Sequence, residues 1–108
     1  MKTTPFLESL KLKLAPLGEI STRAMTGGYL VYLNGVYVGA VDDDLFYLKK
    51  FDENADFLKN SPEKSMYVGA KPSYVVDVDD VEFLLRATYL TFTGAVNAAN
   101  KKKPLRKK

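Results

Sequence analysis

The stretch RAMTGGYLVYLNGVYVGAV, residues 23–41, decides the fold of this chain. It holds two runs rich in β-branched and aromatic residues, Tyr29–Leu33 and Val36–Val41, on either side of Asn34-Gly35. A type I′ turn needs positive φ at both central residues, and Asn-Gly adopts that conformation at low cost. The stretch therefore predicts a β-hairpin.

The two-residue turn also predicts the register of the hairpin, with Leu33 opposite Val36 and Tyr32 opposite Tyr37. Continued along the strands, this register pairs Val31 with Val38, Leu30 with Gly39 and Tyr29 with Ala40. One face then carries Tyr29, Val31, Leu33, Val36, Val38 and Ala40, and the other carries Leu30, Tyr32, Tyr37, Gly39 and Val41. Because neither face is polar, we expect both to be at least partly covered.

Just before the hairpin, Gly27-Gly28 follows Met25 and a predicted strand, Ser21–Met25. A phosphate-binding loop requires a strand, a glycine-rich turn and then a helix whose free N–H groups meet the anion. Here the glycines lead into another strand, and the chain lacks a G-x-x-x-x-G-K-[ST] motif. The pattern favours a bend or bulge over a ligand cradle.

Around the hairpin the sequence predicts three helices and further strands. Thr4 caps a first helix that ends near Pro16 and Gly18. Asp42–Asp44 form a turn into a strand at Leu45–Lys49, and this turn is favoured over a calcium loop because the carboxylates are consecutive. A short helix is predicted next, capped by Asp52 and ending near Asn60 to Pro62. Two strands follow, at Ser65–Val68 and Ser73–Val78. The last element is a long helix capped by Asp79, with Glu82 three residues later as in a capping box.

The long helix carries apolar residues on two sides, which a chain of this size cannot easily bury alone. One predicted stripe is Val81, Leu84, Leu85, Thr88, Phe92, Val96 and Ala99, and the other is Phe83, Ala87, Leu90 and Gly94. We infer a homodimer contact through this helix; the other interpretation is packing on the first helix. The predicted fold class is α+β, an antiparallel sheet of five to six strands with an N-terminal, a short middle and a long C-terminal helix.

Composition narrows the function classes. The chain has 108 residues, 46% of them hydrophobic, which fits one folded domain. Its apolar runs fall short of the ~18 residues of a membrane span, and the N-terminus lacks a secretion-signal pattern, so we expect a cytoplasmic protein. The chain has no histidine or cysteine, so the usual general base, thiol nucleophile and zinc ligands are missing. We predict no catalytic residues, metal or cofactor.

The positive charge is concentrated at one end. Lys101, Lys102, Lys103, Arg106, Lys107 and Lys108 are six of the sixteen basic residues, whereas residues 1–100 carry ten basic and thirteen acidic residues. We therefore divide the chain into a domain, 1–100, and a disordered basic tail, 101–108. The tail is a solvated end, a sequence-independent contact to nucleic acid or another acidic partner, or a weak membrane-surface binder.

The tyrosines of the sheet suggest nucleic-acid stacking, but such platforms interleave Lys and Arg with the rings. Here only Lys49 and Lys50 lie at one end, so protein contact is favoured. The candidate partner contacts are Tyr32, Tyr37, Phe83 and Leu90.

Several motifs in order resemble the amino-terminal domain of the TfoX/Sxy family of bacterial competence regulators. They are LAPLG, TRAMTGG in place of Arg-x-Met-Phe-Gly-Gly, GYLVYLNGVYVGAV, LFYLK and YVVDVDD. The resemblance covers about Leu14 to Ala99. It implies a two-layer fold similar to that of secretion chaperones. It also implies that the protein regulates transcription for DNA uptake. Thr26 departs from the family's usual Phe, and the second, helical domain of full-length members has no counterpart here. The competing functions are a nucleic-acid binder acting through the tail and a small ligand-binding domain or enzyme.

Overall fold

The computed structural model describes residues 4–65 and 69–102, with side chains through Asn100, and shows an α+β fold. One six-stranded antiparallel sheet has the order β1-β2-β3-β4-β6-β5. The elements in chain order are α1 (Pro5–Leu14, followed by a 3-10 turn at Ala15–Leu17), β1 (Ile20–Met25), β2 (Gly28–Leu33), β3 (Val36–Asp42), β4 (Leu45–Leu48), α2 (Asp52–Ala55), β5 (Glu63–Lys64), β6 (Ser73–Val76) and α3 (Val81–Lys102).

The core forms where α1 and α3 pack against one face of the sheet. The first helix begins as the sequence predicts, with the Thr4 hydroxyl accepting a hydrogen bond from Leu7 N at 3.1 Å and Pro5 in the first turn. Its apolar face meets the central strands and the first half of α3. The buried core residues are Leu7, Leu10, Leu14, Val31, Leu33, Val38, Val41, Phe46, Leu48, Leu58, Tyr74, Val76, Leu84 and Ala87.

The central hairpin closes on Asn34 and Gly35, which both have positive φ, 51° and 83°. The predicted register holds for the first two pairs and is wrong beyond them, because the pairing shifts between Val31 and Tyr32. Val31 pairs with Gly39, and Val38 is the extra residue of a bulge. A Cβ on Gly39 would overlap the main-chain oxygen of Tyr47, so glycine is what allows the neighbouring strand to approach here.

The bulge changes which side chains share a face. Val41 now joins Val31 in the core, while Ala40 turns to the opposite face beside Tyr47. Both Ala40 and Tyr47 are buried, and Leu30 on the same face is half-buried. The prediction that both faces are at least partly covered therefore agrees with the structure, although the assignment of residues to faces does not.

Two helix caps differ from the predictions by one residue. The helix predicted to be capped by Asp52 instead begins at Asp52, because the Asn54 side chain accepts the hydrogen bond from Phe51 N. The long helix is capped by Asp80, whose carboxylate accepts from Phe83 N at 3.2 Å, whereas the Asp79 carboxylate lies 3.7 Å from Lys13 Nζ. A cap must reach the free N–H groups of the first turn, and Asp80 does so.

The middle segment is less regular than predicted. Only Asp52–Ala55 is helical, with turns from there to Asn60. The short strand β5 lies at Glu63–Lys64, so Ser65 is outside it, and residues 66–68 of the predicted strand lie outside the described part of the chain. The long helix α3 continues to Lys102, two residues past the predicted domain boundary.

The two apolar stripes predicted for α3 are replaced by one buried stripe that runs between them. The buried residues of this stripe are Leu84 and Thr88 from the first predicted stripe, Ala87 and Gly94 from the second, and Thr91, which belongs to neither. At Gly94 a Cβ would overlap the Phe51 side chain, so the helix approaches the end of β4 closely. The outer members of both predicted stripes are left half-buried or exposed on the two flanks of the helix.

Candidate protein-interaction surfaces

Tyr32 and Tyr37 lie side by side on the sheet face opposite the core. Their ring centroids are 5.8 Å apart, and both side chains are half-buried. Lys49 Nζ lies 4.8 Å from the centroid of Tyr37 and 5.6 Å from that of Phe51. A pair of tyrosines held this way offers apolar ring area and hydroxyl groups together, which suits contact with another protein.

The other two predicted contacts, Phe83 and Leu90, lie on one flank of α3. Phe83 stacks on Phe57 with ring centroids 5.2 Å apart, and the Arg86 guanidinium lies 6.0 Å from the Phe57 ring. Phe83 and Leu90 are both half-buried. The four predicted contacts are therefore divided between two surfaces, the outer sheet face and the α3 flank that meets the segment after α2.

The opposite flank of α3 carries a row of apolar residues that we name the α3 ridge: Leu85, Tyr89, Phe92 and Val96. The Tyr89 side chain is 53% exposed and its ring centroid lies 6.4 Å from that of Phe92. The other three side chains are half-buried. One of the two predicted stripes contains Leu85, Phe92 and Val96 but not Tyr89, although the spacing of four, three and four residues places all four on one side of a helix.

A groove of about 680 Å³ runs between α1 and the adjacent strands β4 and β6. Its apolar lining comes from both sides, with Phe6 and Leu10 on α1 facing Phe46 and Val76 on the sheet. Charged residues also line it: Asp44, Asp77, Asp79 and Lys13. Lys13 is already engaged, since its Nζ donates to Val78 O at 2.9 Å and lies 3.7 Å from Asp79 Oδ1. We name this feature the acidic groove.

The opposite end of the same two strands is basic. Lys49 and Lys50 follow β4, and Lys71 precedes β6, where they line a second groove with Phe51. Lys50 Nζ pairs with Glu63 and lies 5.5 Å from the Tyr74 ring centroid. Because β4 and β6 are antiparallel, the end of one strand lies beside the start of the other. The acidic residues therefore lie one strand length, about 13 Å, from the basic residues. We name these three lysines the basic end.

The two motifs weighed as ligand sites form tight turns. Gly27 has φ 89° and closes the β1–β2 turn, where Met25 pairs with Gly28. A Cβ on Gly28 would overlap the main-chain oxygen of Val41, so the strands approach closely there. Asp43 and Asp44 have φ of 56° and 57° and turn β3 into β4. Within residues 4–65 and 69–102, no group of three acidic side chains is arranged to hold a metal ion.

Among the described helices, none combines the length and apolarity needed to cross a membrane. The family model described as the TfoX N-terminal domain matches residues 13–90, from the last two residues of α1 to the middle of α3. The match includes the whole sheet, both tight turns and the first part of the α3 ridge. No curated protein matched the sequence.

Proposed function

Because the chain belongs to the TfoX N-terminal domain family, we propose that it is a non-enzymatic regulatory module that acts through protein–protein recognition. The module acts in the cytoplasm, where it takes part in regulating transcription for DNA uptake. The observation that carries this proposal is the α3 ridge, a row of apolar side chains on the longest helix of the domain. An aromatic side chain exposed at the centre of such a row is typical of an interface.

The module acts as a homodimer in which the ridges of two copies pack together. A two-fold interface uses the same surface on both copies, so one apolar helix face can provide both halves of it. Tyr89 and Phe92 supply aromatic area at its centre, and the half-buried Leu85 and Val96 extend it along the helix. Burying such side chains is favourable by about 25 cal/mol per Å² of apolar area.

Substituting Tyr89 by lysine tests the dimer. We expect the wild-type chain to sediment at twice its mass of 12.1 kDa and Tyr89→Lys to sediment as a monomer, because a charge would be buried at the interface. The matched control is Leu12→Lys on α1, where another large hydrophobic side chain is 77% exposed outside the ridge. A dimer that survives Tyr89→Lys, or a wild-type chain that is monomeric, contradicts the proposal.

The regulated protein binds the outer sheet face through Tyr32 and Tyr37. The double variant Tyr32→Ser with Tyr37→Ser should lose capture of the partner from the native cell, since the rings provide the contact area. Circular dichroism and thermal unfolding serve as controls, because both rings are only half-buried and their loss should leave the fold intact. If the double variant unfolds, the two rings belong to the core and this surface is wrong.

Sequence-independent binding of nucleic acid is a second candidate function, favoured by the position of the basic end. α3 contacts Phe51 at Gly94, close to Lys49 and Lys50, and then runs on to Lys102. The six basic residues Lys101, Lys102, Lys103, Arg106, Lys107 and Lys108 stand at this end of α3 and directly after it in the sequence. Replacing these six residues by glutamine and measuring binding to DNA tests this function.

A further inference from the structure

We propose that the segment that follows α3, residues 103–108, of one copy lies in the acidic groove of a second copy. This inference rests on the proposed dimer and adds to it the orientation of the two helices and the occupant of the groove. The occupant is a segment of this chain. Two arguments identify it: its charge is opposite to that of the groove, and its length decides which groove it can reach.

The acidic groove combines an apolar lining with unbalanced negative charge. Its three carboxylates, on Asp44, Asp77 and Asp79, face a single cation, Lys13. Lys13 is already shared between Val78 O and Asp79. Asp77 and Asp44 are both exposed at the rim, so a basic segment would meet them without first displacing Lys13. The complementary ligand is a short segment with apolar residues between basic ones.

The sequence KPLRKK, residues 103–108, has that composition. Pro104 and Leu105 form its apolar centre, with Lys103 before them and Arg106, Lys107 and Lys108 after them. Proline also keeps its own φ near −65° and favours an extended residue before it, which limits the conformational entropy lost when the segment binds in a groove. The order of basic, apolar and basic residues matches an apolar groove with acidic residues at its rim.

The segment cannot reach the acidic groove of its own chain. Val78 and Asp79 line the groove, and α3 begins two residues later, at Val81. The 22 residues of the helix carry the chain away by about 33 Å, at 1.5 Å per residue. Residues 103–108 span at most about 22 Å when fully extended. The groove of a second copy is therefore the one within reach.

Antiparallel packing of two α3 ridges brings the segment to that groove. The N-terminal end of α3 is acidic, with Asp79, Asp80 and Glu82, and its C-terminal end leads into the basic segment. In an antiparallel pair the end of one helix lies beside the start of the other, so opposite charges meet at both ends. A parallel pair would place like charges together, which costs energy.

Disulfide trapping between copies tests this placement, because the chain has no cysteine of its own. Full-length chains carrying Ser9→Cys, in the groove, are mixed with full-length chains carrying Arg106→Cys, which keeps Pro104 and Leu105. The matched control replaces Ser9→Cys by Leu12→Cys, three residues further along α1 and outside the groove. Sedimentation of every mixture before oxidation reports whether dimers are present.

We expect the Ser9→Cys mixture to form the mixed disulfide about tenfold faster than the Leu12→Cys mixture, since docking raises the local concentration of one thiol at the other. Adding Asp44→Asn and Asp77→Asn to the Ser9→Cys chain should remove this difference. Raising the salt from about 0.1 M to about 1 M, where the Debye length falls to about 3 Å, should also remove it.

The outcomes separate this inference from the proposed dimer. Dimers that cross-link equally well at positions 9 and 12 overturn the placement of the segment and leave the dimer standing. Monomers in every mixture overturn the dimer and this inference with it. A single chain with both Ser9→Cys and Arg106→Cys that forms an internal disulfide at high dilution also overturns the inference, since the segment would then reach its own groove.

Discussion

Two threonines in the buried stripe of α3 have opposite hydrogen-bonding situations. Thr91 Oγ1 donates to Ala87 O at 2.8 Å and accepts from Asn54 Nδ2 at 2.8 Å. Asn54 is itself fully buried and also bonds to Lys49 O and Phe51 N, so Thr91 joins α3 to the end of β4. Thr88 is equally buried, but its hydroxyl has no hydrogen-bond partner among the residues that the structure describes.

Replacing each threonine by valine, which has a similar shape, should therefore change stability in opposite directions. Thr88→Val removes an unsatisfied buried hydroxyl and should raise the free energy of unfolding by about 1 kcal/mol. Thr91→Val leaves the Asn54 amide without one acceptor and should lower it by about 1–3 kcal/mol. Urea unfolding of both variants measures the two changes. Equal destabilisation by both would mean that Thr88 also has a partner.

At the scale of the element, two carboxylates accept hydrogen bonds at the start of α3, and one of them caps the helix. Asp77 Oδ1 accepts from Asp79 N at 2.8 Å and shapes the turn that leads into the helix. Asp80 then accepts from Phe83 N, which satisfies one of the free N–H groups of the first turn. Asp79 points elsewhere: its side chain is 91% exposed, 3.7 Å from Lys13 Nζ. Exposed ion pairs of this kind contribute little to stability.

Alanine at position 80 should thus be more harmful than alanine at position 79. We expect Asp80→Ala to lower the free energy of unfolding by about 1 kcal/mol, the usual cost of losing an N-cap. Asp79→Ala should lie within about 0.5 kcal/mol of the wild type, as is usual for exposed substitutions. Thermal unfolding followed by circular dichroism at 222 nm distinguishes the two. A larger effect at Asp79 would restore the capping prediction made from the sequence.

At the scale of the whole molecule, the two ends of strands β4 and β6 differ in charge. The β3–β4 turn and the segment after β6 place aspartates at one end of the sheet, and the basic end lies at the other. α3 runs the same way, from Asp80 towards Lys102. A ligand with a phosphate backbone is attracted to the basic end and repelled by the aspartates at the other end.

The six-glutamine variant of residues 101–108 should therefore lose most of any affinity for DNA. Each phosphate contact contributes about 0.9 to the slope of log affinity against log salt, so the slope should fall by up to about 5. Fluorescence anisotropy with a labelled duplex at several salt concentrations measures both quantities. Lys49→Gln with Lys50→Gln is the control for the body of the domain. An unchanged slope in the six-glutamine variant would exclude the tail as the binding segment.

The sequence by itself determined the features that rest on local chemistry. Asn34-Gly35 specifies its turn because few dipeptides tolerate two positive φ values, and Thr4-Pro5 specifies a helix start because the hydroxyl and the fixed φ act within one turn. The order of motifs from LAPLG to YVVDVDD likewise identified the family, since each motif is short and continuous.

The tertiary structure alone decided the features that depend on what comes to lie beside a residue. The β2–β3 pairing contains a bulge at Val38, and this one added residue reverses the faces that the sequence predicts for Ala40 and Val41. The position of the α3 ridge depends on how far the helix is rotated against the sheet. Hydrophobic spacing does not determine that rotation when apolar residues surround much of the helix. The acidic groove joins α1 to strands more than thirty residues away, and long-range contacts of that kind leave no pattern in the sequence.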